Sequence, residues 1–87
     1  MHEASLITGL MRRVEATAMA EKATHITAVA IWIGALSHMS AEHFAEHFQH
    51  ASAGTAAEGA RLDVTMSDDI HHPHALDIRL ESVEVET

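Results

Sequence analysis

The sequence predicts an α+β fold: a three-stranded mixed β-sheet with two helices on one face, in the order α-β-α-β-β. Two observations carry that prediction. Apolar residues repeat with a helical period in two segments and with a period of two in three others. The chain has 87 residues, 47% of them hydrophobic, which suits one small packed domain over 1–87.

The first helix is expected over 3–22. Leu6, Ile7, Leu10, Val14 and Ala18 recur at helical spacing and form an apolar stripe, with Arg12, Arg13, Glu15 and Glu21 mostly off it. The first strand is expected over 26–33, ITAVAIWI, which is rich in β-branched residues and closed by Gly34. Val29, Ile31 and Ile33 face one way; Ala28, Ala30 and Trp32 face the other. A second helix is expected over 41–53. Ser40 is its N-cap, Met39 staples onto Phe44, and Phe44, Phe48 and Ala51 form the buried stripe. Gly54 is the stop.

The second strand is expected over 60–66, with Leu62, Val64 and Met66 on one face. The last is expected over 76–86. Leu76, Ile78 and Leu80 share a parity that Val83 and Val85 break, so a bulge near Glu81–Ser82 is expected. A helical crossover allows the first two strands to be parallel. The short connection SDDIHHPHA reads as a solvated hairpin loop and makes the last two strands antiparallel. The sheet face around Trp32 is left as a solvated or contact surface, and a homodimer is one possible state of the chain.

Composition excludes several functions. The net charge of −8 with neutral histidine argues against nucleic acid and against an anionic membrane. The longest apolar run, AVAIWIGAL at 28–36, is too short to cross a bilayer. No signal peptide is evident, so the cytoplasm is the expected location. There is no cysteine, so any metal must be held by nitrogen and oxygen. No nucleophile–base pair or phosphate loop is seen, and an enzyme is not expected.

Nine histidines are the feature that most needs a reason. His43, His47 and His50 form a strip on the second helix. They read either as a chelating pair beside Glu46 or as the polar edge of an amphipathic helix. Phe44 after the first histidine rules out the zincin pattern. His25 and His38 read as surface or turn residues. His71, His72 and His74, with Asp68 and Asp69, are a secondary candidate metal site in the loop 67–75. His2 differs in kind. The Met1 amine, the His2 amide and the His2 imidazole can close adjacent chelate rings, with the Glu3 amide at a fourth corner. Such square-planar nitrogen ligation favours Ni(II) or Cu(II) over tetrahedral Zn. The bulky second residue favours retention of Met1. Its amine titrates at about 7.7–8.0 when unperturbed, so metal displaces its proton at little cost.

These residues resemble a known family, the HypA-type nickel-incorporation proteins of NiFe-hydrogenase maturation. The likeness begins with MHE and Ser5–Leu6. It continues through VEATAMAEKATHITAVAIWIGALS, GTAAEGARLDV at 54–64 and IRLESVEVE at 78–86. The resemblance implies a nickel metallochaperone whose site is Met1, His2 and the backbone near Glu3. It implies a HypB-type GTPase and the hydrogenase large-subunit precursor as partners. One departure is large. The family carries a zinc domain with two Cys-x-x-Cys pairs between its last two strands; here the His-rich loop 67–75 stands in its place. No zinc of the family type is expected. Two other readings remain: an adaptor that kept the fold without metal delivery, and a histidine-rich transition-metal buffer without a client.

Overall fold

The computed structural model describes the backbone of residues 2–87 and the side chains of residues 5–87. The elements are α1 (His2–Ala20), β1 (His25–Ile33), α2 (Ala41–Ser52), β2 (Arg61–Met66) and β3 (Ile78–Glu86). Both helices pack on one face of a three-stranded mixed sheet, and the α-β-α-β-β order is the expected one.

Helix α1 stops at Ala20 rather than at 22. Lys22 adopts a left-handed conformation, with φ of 55°. Its N–H donates to the Met19 carbonyl and the Ala23 N–H donates to the Ala18 carbonyl, at 3.0 and 2.9 Å. These are the two bonds of a Schellman cap. The buried stripe is Ile7, Leu10, Met11, Val14 and Ala18. Met11 takes the place the sequence reading gave to Leu6, which lies at the rim with 36% exposure.

Strand β1 is the centre of the sheet, in the order β2-β1-β3. It pairs in parallel with β2, Val29 opposite Leu62 and Ile31 opposite Val64. It pairs antiparallel with β3, Ile33 opposite Ile78 and Val29 opposite Val83. The expected hairpin between the last two strands is therefore absent: β3 lies on the far edge of β1 from β2. Composition explains the choice. No charged residue interrupts 26–33, so β1 suits the centre, whereas β2 and β3 carry outward charges that suit edges.

The expected bulge is present. Ala30 lies opposite Ser82 and Ile31 opposite Leu80, so Glu81 is the extra residue. That shift turns Ile78, Leu80, Val83 and Val85 toward the same core. A second irregularity, at Thr27, was not anticipated. It turns Ile26 into the core, where strict alternation would have placed it beside Ala28 and Trp32. Ile26, Val29, Ile31 and Ile33 are all fully buried. Each contributes roughly 1.5–3 kcal/mol of transfer free energy.

Helix α2 follows its sequence signals. The Ser40 side chain accepts the His43 N–H at 3.0 Å. Met39, Phe44 and Phe48 are buried, and Gly54 takes a φ of 78° just past the end. Ala51 packs half-buried against the core as expected, and Ser52 beside it is buried and donates to the Gln49 carbonyl. Two strand-end residues fall outside the core. Met66 is 50% exposed at the end of an edge strand, and Leu76, at 72%, precedes β3 rather than belonging to it.

The segment 67–77 is a built loop, not a loose one. Its two ends clip onto neighbouring residues of one strand end. The Ser67 N–H donates to the Ile33 carbonyl at 2.9 Å, and the Gly34 N–H donates to the Asp77 carbonyl at 2.8 Å. The Leu36 N–H adds a bond to the Ala75 carbonyl at 2.7 Å. Gly34 permits this approach, because a Cβ there would overlap the backbone of His74 and Ala75. Gly34→Ala should therefore lower stability by about 1–3 kcal/mol, the usual cost of forcing backbone apart. Urea unfolding checks this; an unchanged midpoint would mean the loop is not seated on Gly34.

Candidate metal centre

The topology gathers three elements at one end of the molecule. A short turn after Ala20 sends the chain back along α1, so the first turns of α1 lie where β1 finishes. Helix α2 starts from that end, and the loop 67–77 is clipped to it. Leu6 and Arg13 of α1 share a shallow depression of about 400 Å³ with His74, Leu76 and Asp77 of the loop. Met1 and the side chains of His2 and Glu3 lie outside the described residues.

Inside the loop, the polar residues first tie down the backbone. The Asp69 carboxylate accepts the His71 N–H at 2.9 Å, and the Asp69 carbonyl accepts the His72 N–H at 3.2 Å. The Ser67 hydroxyl accepts the Asp69 N–H at 3.2 Å. Asp69, read from sequence as added ligand charge, thus holds a turn.

The three loop histidines have different situations. His71 is exposed. The His72 ring packs on Trp32, with centroids 4.8 Å apart, and its Nδ1 accepts the His74 N–H at 2.9 Å. A neutral ring that accepts at Nδ1 carries its proton on Nε2, so His72 would have to give up that bond or its proton to ligate. His74 is the reverse case. Its Nδ1 lies 2.9 Å from Asp77 Oδ2. A carboxylate can only accept, so Nδ1 donates, and in the neutral ring that tautomer leaves the Nε2 lone pair available to a metal. Carboxylate-oriented imidazole is the usual state of a metal-binding histidine. His74 is therefore the loop residue best prepared to bind a metal. The ring centroids of His72 and His74 are 5.8 Å apart. Among the described residues no group of three His, Asp or Glu side chains could hold an ion.

Sequence reasoning missed Asp77 and the Trp32–His72 contact. The His-x-x-Asp spacing at 74–77 was the available signal for the first. The second depends on the loop crossing the end of β1 and had no local signal.

A family model described as "Hydrogenase/urease nickel incorporation, metallochaperone, hypA" matches residues 1–72. The chain belongs to the HypA family. That is a family of metallochaperones rather than enzymes. The hydrogenase maturation factor HypA of Dechloromonas aromatica is 38% identical over 64 residues, covering 74% of this chain and 57% of that protein. Its counterpart in Chlorobium limicola is 39% identical over 64 residues, covering 74% and 55%. The chain thus spans little more than half the length of these relatives. The solution structure of the Ni metallochaperone HypA from Helicobacter pylori superposes with a TM-score of 0.79. It covers 98% of this chain and 97% of that one at 22% identity, which bears on the fold.

Trp32 is the single tryptophan. His72→Ala should uncover its ring, moving its emission to longer wavelength and increasing quenching by iodide. Fluorescence spectra of the two proteins check this; identical spectra would mean the loop does not cover Trp32.

Proposed function

We propose that this chain binds Ni(II) at its amino end, through the Met1 amine, His2 and the backbone of Glu3, and delivers it during hydrogenase maturation. The observation that carries the reading is the family match over residues 1–72, which includes MHE. Helix physics supports it. The first four amide groups of a helix lack intrahelical acceptors, so α1, which starts at His2, can give amide nitrogens to a metal without losing helical bonds. Ile7, Leu10 and Met11 anchor the following turns of α1 in the core.

The chain works in this reading with a HypB-type GTPase, and the hydrogenase large-subunit precursor receives the ion in the cytoplasm. No helix of the described residues is long and apolar enough to cross a membrane. The chain carries no cysteine, so we assign it no zinc of the family type. His74, with His71 and His72 beside it, supplies a weaker site.

Calorimetric titration with Ni(II) tests the reading. His2→Ala should weaken the tightest phase at least about tenfold, or roughly 1.4 kcal/mol. An amino-terminal extension should do the same, because it converts the amine to an amide. Unchanged binding by either protein would remove the amino end as the site.

The loop is separated by a second variant. Replacing His71, His72 and His74 together by alanine should leave the tightest phase and remove a weaker one. Loss of the tightest phase with His2 intact would make the loop the primary site.

A further inference from the structure

Helix α2 carries two imidazoles one turn apart. The rings of His43 and His47 are stacked, with centroids 4.8 Å apart and planes inclined by 16°. From this geometry we propose a second transition-metal site: a two-imidazole clamp, His43 and His47, that takes a divalent ion such as Ni(II) or Cu(II) and completes its coordination with water. The inference does not depend on the nickel reading of the amino end.

Spacing comes first. Residues i and i+4 lie one above the other on a helix, with Cβ atoms roughly 5–6 Å apart, which lets two side chains reach one ion. The helix holds them in place. Each histidine directly precedes a buried phenylalanine, Phe44 and Phe48, and those two rings fix the rotation of α2 against the core. Ser40 fixes the first turn by accepting the His43 N–H. His43 is exposed and His47 half-buried, so an ion can reach both.

Ligand chemistry comes next. Neutral imidazole suits nickel, copper and zinc. The second torsion of histidine is broad, so each ring can turn a nitrogen toward a shared ion. Both rings remain on a rigid element while they do so, which spares most of the ordering cost a loose loop would incur. Glu42 and Glu46 flank the pair on the exposed side of the helix, and the whole chain is acidic, so the local charge favours a cation. Because no third His, Asp or Glu converges among the described residues, the site should be weaker and more exchangeable than a full cage.

Its position gives the pair a use. His43 sits in the first turn of α2, at the end of the molecule where the first turns of α1 and the His74 loop also lie. An ion held there lies at the same end of the molecule as the start of α1 and the His74 loop.

The test is a titration with Ni(II) alone, and separately with Cu(II) alone, on the full chain in the wild-type and His2→Ala backgrounds. Calorimetry reads stoichiometry, and NMR reads which imidazole signals the paramagnetic ion broadens. Expected is a phase that survives His2→Ala, broadens the His43 and His47 rings together, and weakens at least tenfold on His47→Ala. His47→Gln, which keeps side-chain bulk on the half-buried side, should weaken it equally. The rise in melting temperature that this ion produces, read against each protein's own metal-free value, should vanish in both variants. The proposal is overturned if the surviving phase is indifferent to His47→Ala and His47→Gln. It is also overturned if that phase disappears with the loop histidines instead. Failure of the amino-end reading looks different: His2→Ala then changes nothing while the His47-dependent phase persists.

Discussion

Hydrogen bonding along both edges of β1, with helices stacked on one of its faces, determines where every other element can go. Because β2 takes one edge in parallel, the chain needs a crossover, and α2 is that crossover. Because β3 takes the other edge antiparallel, the chain must cross the end of β1 after β2. The loop 67–77 is that crossing. The start of α1, the start of α2 and the histidine-rich loop share one end of the molecule as a consequence of strand order, before any metal chemistry is considered.

Much of the fold could be read from periodicity. The five elements, the Ser40 cap, the Gly54 stop and the bulge at Glu81 all leave local signals, because each is a matter of spacing or of one residue's backbone preference. What could not be read depends on contacts between distant residues. Lys22 closes α1 in a conformation usually left to glycine, so composition gave no stop there. Ile26 reaches the core only because Thr27 is skipped in the β3 ladder. The β2–β3 hairpin was a natural inference from a short connection, and it failed because the apolar β1 needs both edges covered. The site was legible in part. His74 was named, but its orientation by Asp77 and the diversion of His72 to Trp32 follow from how the loop is folded.

The open face of the sheet shows how side-chain size sets electrostatics. Ala28 has Arg61 beside it on one edge and Glu84 on the other. Its methyl group is short enough for the Arg61 guanidinium to reach over it to Glu84 at 3.5 Å while also binding Asp63 at 3.1 Å. These groups are exposed, and their energetic value is small. Their effect is to cover the central strand with a polar lattice at one end. At the other end Trp32 carries a histidine from the loop.

The clips at the two ends of the loop also bear on how much chain the junction tolerates. Ser67 is bound to Ile33 and Asp77 to Gly34, so the loop leaves and re-enters the domain at consecutive residues. For chain added between such fixed points the closure entropy is small: doubling a flexible segment costs only about 0.6 kcal/mol. The junction therefore works as a socket. Chain can be added between the two clips while the sheet and both helices keep their places.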